Sequence, residues 1–312
     1  MKRAIAVASS HEANTWSAVG EIADRYLALL KLRPMSAVIF AAIAGLVAAP
    51  GHVEPLTAII AIICIALGGG GSAALNMWYE ADLDARMRRT AGRPIPSGKV
   101  RAATALVLGS CLCVGAVATM GFVVGWFAAV VLFATISAYF GLYTVALKHR
   151  TPMSVVIGGA LAGFLTPLSG WAAATGEIGF PGLALFLYIF FWTPPHVWSQ
   201  ALYRAQDYAA AGVPMLPVAA GSRVTQRWIF IFTLVHVLLA IAPSLFGLAG
   251  TLYGLVATTF GVLLLFKAYR LALCVDRVSI HKSAHEFFRL SIRYVLALLS
   301  ALMIDRFWIA PL

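Results

Sequence analysis

Residues 55–99 read PLTAIIAIICIALGGGGSAALNMWYEADLDARMRRTAGRPIPSGK. The run from 55 to 77 is apolar and, as a helix rising 1.5 Å per residue, is long enough to cross a hydrocarbon core of about 30 Å. At its end the sequence turns acidic and then basic. Asn76, Glu80 and Asp84 follow one another at four-residue spacing. On a helix each such step turns about 400°, so the three side chains drift by only about 80° and share one stripe. Two carboxylates and an amide oxygen beside a hydrocarbon segment are hard oxygen ligands of the kind Mg²⁺ accepts, with phosphate oxygens and waters completing an octahedron. Arg86, Arg88, Arg89, Arg93 and Lys99 come next, and guanidinium and ammonium groups answer phosphate charge. The pattern points to a diphosphate held through a metal. Asp82, two residues on from Glu80, is expected on the opposite side of the helix.

The rest of the chain supports a membrane setting. Hydrophobic residues make up 61% of the 312 residues and charged ones 11%, with a mean hydropathy of +0.89, which excludes a soluble domain of this size. Apolar segments near 35–50, 55–77, 102–120, 122–145, 153–173, 180–199, 228–248, 250–270 and 290–310 predict an all-α integral membrane protein, a bundle of nine transmembrane helices. Residues 1–34 are expected to form a cytoplasmic N-terminal segment, with an interfacial helix marked by Val19, Ile22, Tyr26, Leu29 and Leu30. Residues 35–312 then form a single domain.

The net charge of +11 reports orientation rather than a nucleic-acid partner. Of the 23 lysines and arginines, all but Arg306 fall in segments that this topology places on one side. Under the positive-inside rule the N-terminus is cytoplasmic and the C-terminus lies on the far side. The start of the chain lacks the apolar length of a cleavable signal, so the first spanning helix is expected to direct insertion. Cys64, Cys111, Cys113 and Cys274 lie in or beside apolar helices and are expected as small core residues.

The longer polar loops, 78–101 and 200–227, both lie on the inside, so function is expected there. The stretch 191–217, FWTPPHVWSQALYRAQDYAAAGVPMLP, places Tyr203 and Asp207 four residues apart at another inside helix end, parallel in placement to Asn76 and Glu80. Pro194 and Pro195 are expected to break or kink their helix, because each removes a backbone donor. His196 and Trp198 are then expected to face a pocket, with Arg204 beside them as a further substrate-binding cation. Gly68–Gly71 reads first as a close helix-packing surface and second as a groove for an isoprenoid tail. Tyr143 and Lys148 mark one more inside helix end, and His236, with no motif around it, is expected to be structural.

Taken together, NMWYEADLDARMRRTAGRP (76–94), YTVALKHRTP (143–152) with the glycines at 158–159, and WTPPHVW followed by YRAQDYAAAGVPMLP (203–217) resemble the UbiA superfamily of intramembrane prenyltransferases. Within it they resemble the protoheme IX farnesyltransferase family. The resemblance covers about two-thirds of the chain and implies a cavity open towards the cytoplasm of a bacterial inner membrane. There farnesyl diphosphate would bind through Mg²⁺ and its farnesyl group pass to a vinyl group of heme B, giving heme O. It assigns Asn76, Glu80 and Asp84 to a first metal-diphosphate motif and Tyr203 and Asp207 to a second, with Asp207 as a fourth metal ligand. It gives Arg88, Arg93 and Lys148 the phosphate oxygens. The second motif carries one carboxylate where the wider superfamily is rich in aspartate. Heme A synthase is the implied partner protein.

A prenyltransferase acting on an aromatic or quinone-precursor acceptor would share the diphosphate site and differ only in the acceptor pocket. A transporter would be expected to bury its charges near the midplane, and a bis-histidine cytochrome would need facing pairs of membrane histidines. Only His236 stands mid-helix.

Overall fold

The structure, a computed structural model, describes residues 23–51 and 53–308; Val19 and Ile22 of the expected interfacial helix lie outside the described residues. In chain order the helices are α1 (Ala23–Leu29), α2 (Leu32–Ala48), α3 (Pro55–Tyr79), α4 (Ala81–Arg86), α5 (Ala102–Val124), α6 (Trp126–Leu147) and α7 (Val155–Thr175). They continue with α8 (Phe180–Tyr203), α9 (Ala205–Ala210), α10 (Leu216–Ala219), α11 (Gly221–Leu245), α12 (Thr251–Leu273) and α13 (Arg277–Trp308). Among the described residues there is no strand.

Eight of these helices are long and apolar enough to cross a membrane, and the pair α1 and α2, bent by 56°, makes a ninth if counted as one span. The protein is an integral membrane protein. Its outward faces carry large exposed apolar residues such as Val114, Phe122, Phe133, Leu238 and Leu255, a surface stable against lipid tails and costly against water. The interior is filled by Trp171, Phe186, Tyr188, Trp198, Phe287 and Tyr294.

Helix ends depart from the hydropathy pattern where polar residues continue the helix. Both α11 and α13 begin well before their apolar runs, at Gly221 and Arg277, because hydropathy marks only the part in hydrocarbon whereas backbone hydrogen bonding propagates beyond it. The chain also runs as one helix through Pro194 and Pro195, so the expected break is absent. Cys64 and Cys113 are buried, but Cys111 is exposed and Cys274 only part-buried. His236 is fully buried, hydrogen-bonds through Nδ1 to the Tyr188 carbonyl at 2.9 Å and sits between the rings of Tyr188 and Tyr294, a structural role.

Two helix crossings depend on glycine. A Cβ at Gly71 would lie 2.9 Å from the Gly109 carbonyl oxygen on α5, and one at Gly109 would lie 2.9 Å from that of Gly71. At the crossing of α2 and α7, a Cβ on Gly45 would collide with the Pro167 backbone and one on Gly170 with that of Ala42. The rest of the glycine run packs against α6 through Gly68 and against Met35 and Leu30 through Gly69 and Gly70. The packing reading of Gly68–Gly71 therefore holds among the described residues.

Candidate active site

The stripe read from sequence survives a break in the helix. Glu80 ends α3 with φ −96° and ψ 14°, yet Glu80 N–H donates to the Asn76 carbonyl at 3.0 Å and Asp84 N–H to the Glu80 carbonyl at 2.7 Å. The four-residue register passes intact into α4. Asn76, Glu80 and Asp84 are all buried, whereas Asp82 is exposed as expected. They line a cavity of about 390 Å³ with Lys31, Arg89, Arg93, Tyr139, Tyr143 and Lys148 among its other walls.

Each of the three oxygen-bearing side chains has its own cation. The Lys31 ammonium donates to Asn76 Oδ1 at 2.5 Å. Lys148 donates to both Glu80 carboxylate oxygens, at 2.5 and 2.6 Å, and Arg93 donates to Asp84 Oδ2 at 2.6 Å. The Glu80 and Asp84 side chains are 2% and 3% exposed, against 14% and 21% for their partners. Burial strengthens such charge-assisted bonds and makes an unpaired member costly. Arg89 pairs with none of them; burial, reinforced by the nearby Arg204 and Arg93 charges, lowers its guanidinium pKa from the usual value.

Local backbone geometry aims these groups. Lys31 has φ 51° and ψ 52°, a left-handed conformation costing a side-chain-bearing residue about 1–2 kcal/mol, and it makes the bend between α1 and α2. From Ser137 to Leu147, α6 is wound as a π-helix, with hydrogen bonds five residues apart. Tyr139 therefore stacks over Thr144 and Tyr143 over Lys148. The Thr144 hydroxyl donates to the Tyr139 carbonyl at 3.0 Å and accepts from Asn76 Nδ2 at 3.1 Å, fixing the amide with its oxygen towards Lys31. Leu83, Met87, Val155, Tyr208 and Val213, members of one small apolar cluster, supply apolar wall to the cavity.

The other expected residues are dispersed. Tyr203, Arg204 and Asp207 line a second cavity of about 760 Å³. The short helix α9 divides the two, because Tyr208 faces the first cavity and Asp207 the second. Arg88 and its neighbour Arg89 are both exposed; Arg89 lines the first cavity and Arg88 neither. Trp198 is fully buried, with its ring edge-on to Phe232. His196 stacks between Trp192 and Phe288 at 4.4 and 4.5 Å and hydrogen-bonds through Nδ1 to Ser291 at 2.9 Å.

The UbiA prenyltransferase family model matches residues 37–292. The chain belongs to the UbiA prenyltransferase family. It is 47% identical over 281 residues to a protoheme IX farnesyltransferase of Parvibaculum lavamentivorans, covering 90% of this chain and 88% of the relative. It is 46% identical over 287 residues to a protein of the same name from Rhodopseudomonas palustris, covering 91% and 90%. Among solved structures, a digeranylgeranylglyceryl phosphate synthase superposes with a TM-score of 0.76 at 18% identity, covering 93% of this chain and all of that one. A UbiA homologue of Archaeoglobus fulgidus bound to GPP and Mg²⁺ superposes at 0.64 and 18%, covering 88% and 99%. These structural matches establish the fold of this prenyltransferase.

Three residues at the first cavity were not singled out from sequence. Lys31 lies 45 residues from Asn76 and reaches it only through the α1–α2 bend. Tyr139 and Tyr208 carry no signal of their own; the five-residue pairing of Tyr139 with Thr144 is invisible without the π-winding.

Proposed function

We propose that this protein transfers the farnesyl group of farnesyl diphosphate to a vinyl group of heme B, giving heme O. It would do so in the bacterial inner membrane, with a cytoplasmic N-terminus, a C-terminus on the far side and the cavity opening towards the cytoplasm. Residues 35–312 act as one catalytic domain, and heme A synthase is the partner to test for handover of the product. The observation that carries the reading is the buried constellation in which Asn76, Glu80 and Asp84 each meet a cation around one cavity.

The donor set fits Mg²⁺, since three hard oxygen side chains stand on one buried stripe. Asn76, Glu80 and Asp84 would hold the ion, which when bound offsets diphosphate charge and eases its departure. Their present partners Lys31, Lys148 and Arg93, together with Arg89, are then available to hold phosphate oxygens. As the bond between farnesyl C1 and the diphosphate oxygen breaks, its electron pair leaves with the diphosphate, where these fixed cations stabilise it. The stacked rings of Tyr139 and Tyr143, with centroids 6.1 Å apart, present π-faces suited to the allylic cation. The vinyl π pair forms the new carbon–carbon bond. A water oxygen then bonds to the cation left beside the macrocycle and releases a proton to solvent. The apolar wall of the cavity would limit the approach of water until that stage.

The decisive experiment incubates purified protein with heme B, farnesyl diphosphate and Mg²⁺ and reads the extracted heme by mass spectrometry. A hydroxyethylfarnesyl heme that requires Mg²⁺ and is absent with Asp84→Ala is the expected result. Unmodified heme alongside prenylated 4-hydroxybenzoate would overturn the acceptor assignment, and no transfer to either would overturn the reaction.

A further inference from the structure

A third cavity, of about 700 Å³, opens between the end of α12 and the start of α13. It shares Val275 with the second cavity and so lies at the same end of the bundle. Lys267, Arg270 and Lys282 stand in its wall with two acids, Asp276 and Glu286, which leaves an excess of one positive charge. Both acids are already engaged. Asp276 Oδ1 accepts from the Ser279 N–H at 2.9 Å at the start of α13, and Glu286 Oε2 accepts from Lys267 at 2.8 Å. The charges of Lys282 and Arg270 also bear on Glu286, but neither residue forms a salt bridge among the described residues. Two exposed cations are thus left beside a carboxylate that Lys267 has already taken.

These cations sit where helix meets lipid headgroups. With 23 residues, α12 is about 34 Å long against a hydrocarbon core of about 30 Å, so its last turn reaches the interface. Along it Leu263, Phe266, Arg270 and Leu273 follow at spacings of three, four and three, which places them on one face. The three apolar members are 44%, 52% and 59% exposed, a strip suited to an acyl chain with a guanidinium at its headgroup end. On α13, spacings of four, three and four place Lys282, Glu286, Arg289 and Arg293 on one face. Arg289 and Arg293 are exposed and form no salt bridge among the described residues. Arg293 stands fifteen residues before Trp308, about 22 Å along α13 from its far end, within the depth of the hydrocarbon. A guanidinium there is costly unless its stem carries it to an anion at the interface. The phosphate of a phospholipid is the anion present at that depth.

We propose that the cleft between α12 and α13 is a binding site for an anionic glycerophospholipid, its phosphate held by Arg270 and Lys282, an acyl chain along Leu263 and Phe266, and Arg289 and Arg293 extending the basic face down α13. A zwitterionic headgroup brings an ammonium to the same cations and is disfavoured. Glu286 sets the strength of the site, because it occupies Lys267 and opposes the incoming phosphate.

The test is native mass spectrometry of the full-length protein released from detergent micelles that carry phosphatidylglycerol or phosphatidylcholine, with thermal unfolding read on the same samples. The variants are Arg270→Gln/Lys282→Gln, Glu286→Gln and, as a control that removes two exposed cations elsewhere, Arg101→Gln/Arg150→Gln. The wild type is expected to retain phosphatidylglycerol about tenfold more than phosphatidylcholine, and the double variant in the cleft to lose that preference. Glu286→Gln is expected to retain more phosphatidylglycerol than the wild type, since Lys267 is then free for the phosphate, a gain that loss of folding cannot produce. The control is expected to match the wild type. Equal retention of the two lipids by the wild type would overturn the inference, as would a control that loses as much as the cleft variant or a Glu286→Gln protein that retains less. Inorganic phosphate that raises the unfolding temperature of the wild type but not of the cleft variant would mark a site for the free ion and overturn the lipid assignment.

Discussion

The two cavities lie on either side of α9, at the same end of the bundle, and are built on opposite electrostatic plans. In the first, each buried acid or amide side chain is matched to a part-buried basic one. In the second, three arginines, two of them exposed, outnumber a single aspartate among the described residues. A matched set can part to admit both a metal cation and a polyanion, each taking over one half of an existing pair. An unmatched basic set has room only for an anion. One helix end thus offers two kinds of recognition, and the side of α9 that a residue faces decides which it serves.

The largest effect should come from breaking the matched set at its metal-facing half. Asp84→Asn keeps the shape of the site, and farnesyl transfer followed by mass spectrometry is expected to fall about 10²–10³-fold, the scale seen when a preorganised electrostatic group is lost. Next is Lys148→Met, which strands the Glu80 carboxylate in the interior. Thermal unfolding in detergent should show a loss of about 3–5 kcal/mol, the cost of breaking a buried pair, and most of it should return in Lys148→Met/Glu80→Gln. A double variant no more stable than the single would show that the pair is not coupled.

Salt should separate the cavities more gently. At about 0.5 M salt, well past the ionic strength where screening acts within 8 Å, binding of inorganic phosphate at the arginines of the second cavity should weaken several-fold. The stability difference between wild type and Lys148→Met should hardly move. The smallest effect is expected at the exposed pair of Lys267 and Glu286, 28% and 42% exposed. Glu286→Gln should change stability by less than about 1 kcal/mol, because solvent already screens the charges. A loss as large as that of Lys148→Met would remove burial as the distinction between the pairs.

Much of the first cavity was legible because its core is local. Asn76, Glu80 and Asp84 are set by one helical period, and that period outlasts the break at Glu80. Lys148 was legible as a cation at a helix end and Arg93 as one of the basic run after Asp84, though their individual partners were not. The second motif was harder to read. Tyr203 and Asp207 keep four-residue spacing, but α8 ends at Tyr203 and α9 starts anew, so spacing no longer fixes a shared face. The same limit separates Arg88 from Arg89, both exposed, of which only Arg89 reaches the wall of the first cavity.

By itself the sequence determined an all-helical membrane chain and an oxygen-ligand stripe at one helix end. Hydropathy over twenty residues and a 3.6-residue period are properties of short segments and need no partner to be read. The tertiary structure alone decided that Lys31 crosses to Asn76 through a left-handed turn, that a π-wound α6 brings Tyr139, Thr144 and Lys148 onto the cavity, and that α9 divides one polar end into two sites. Those outcomes depend on the packing of helices distant in sequence, and burial decides among backbone geometries that are nearly equal in energy for an isolated segment.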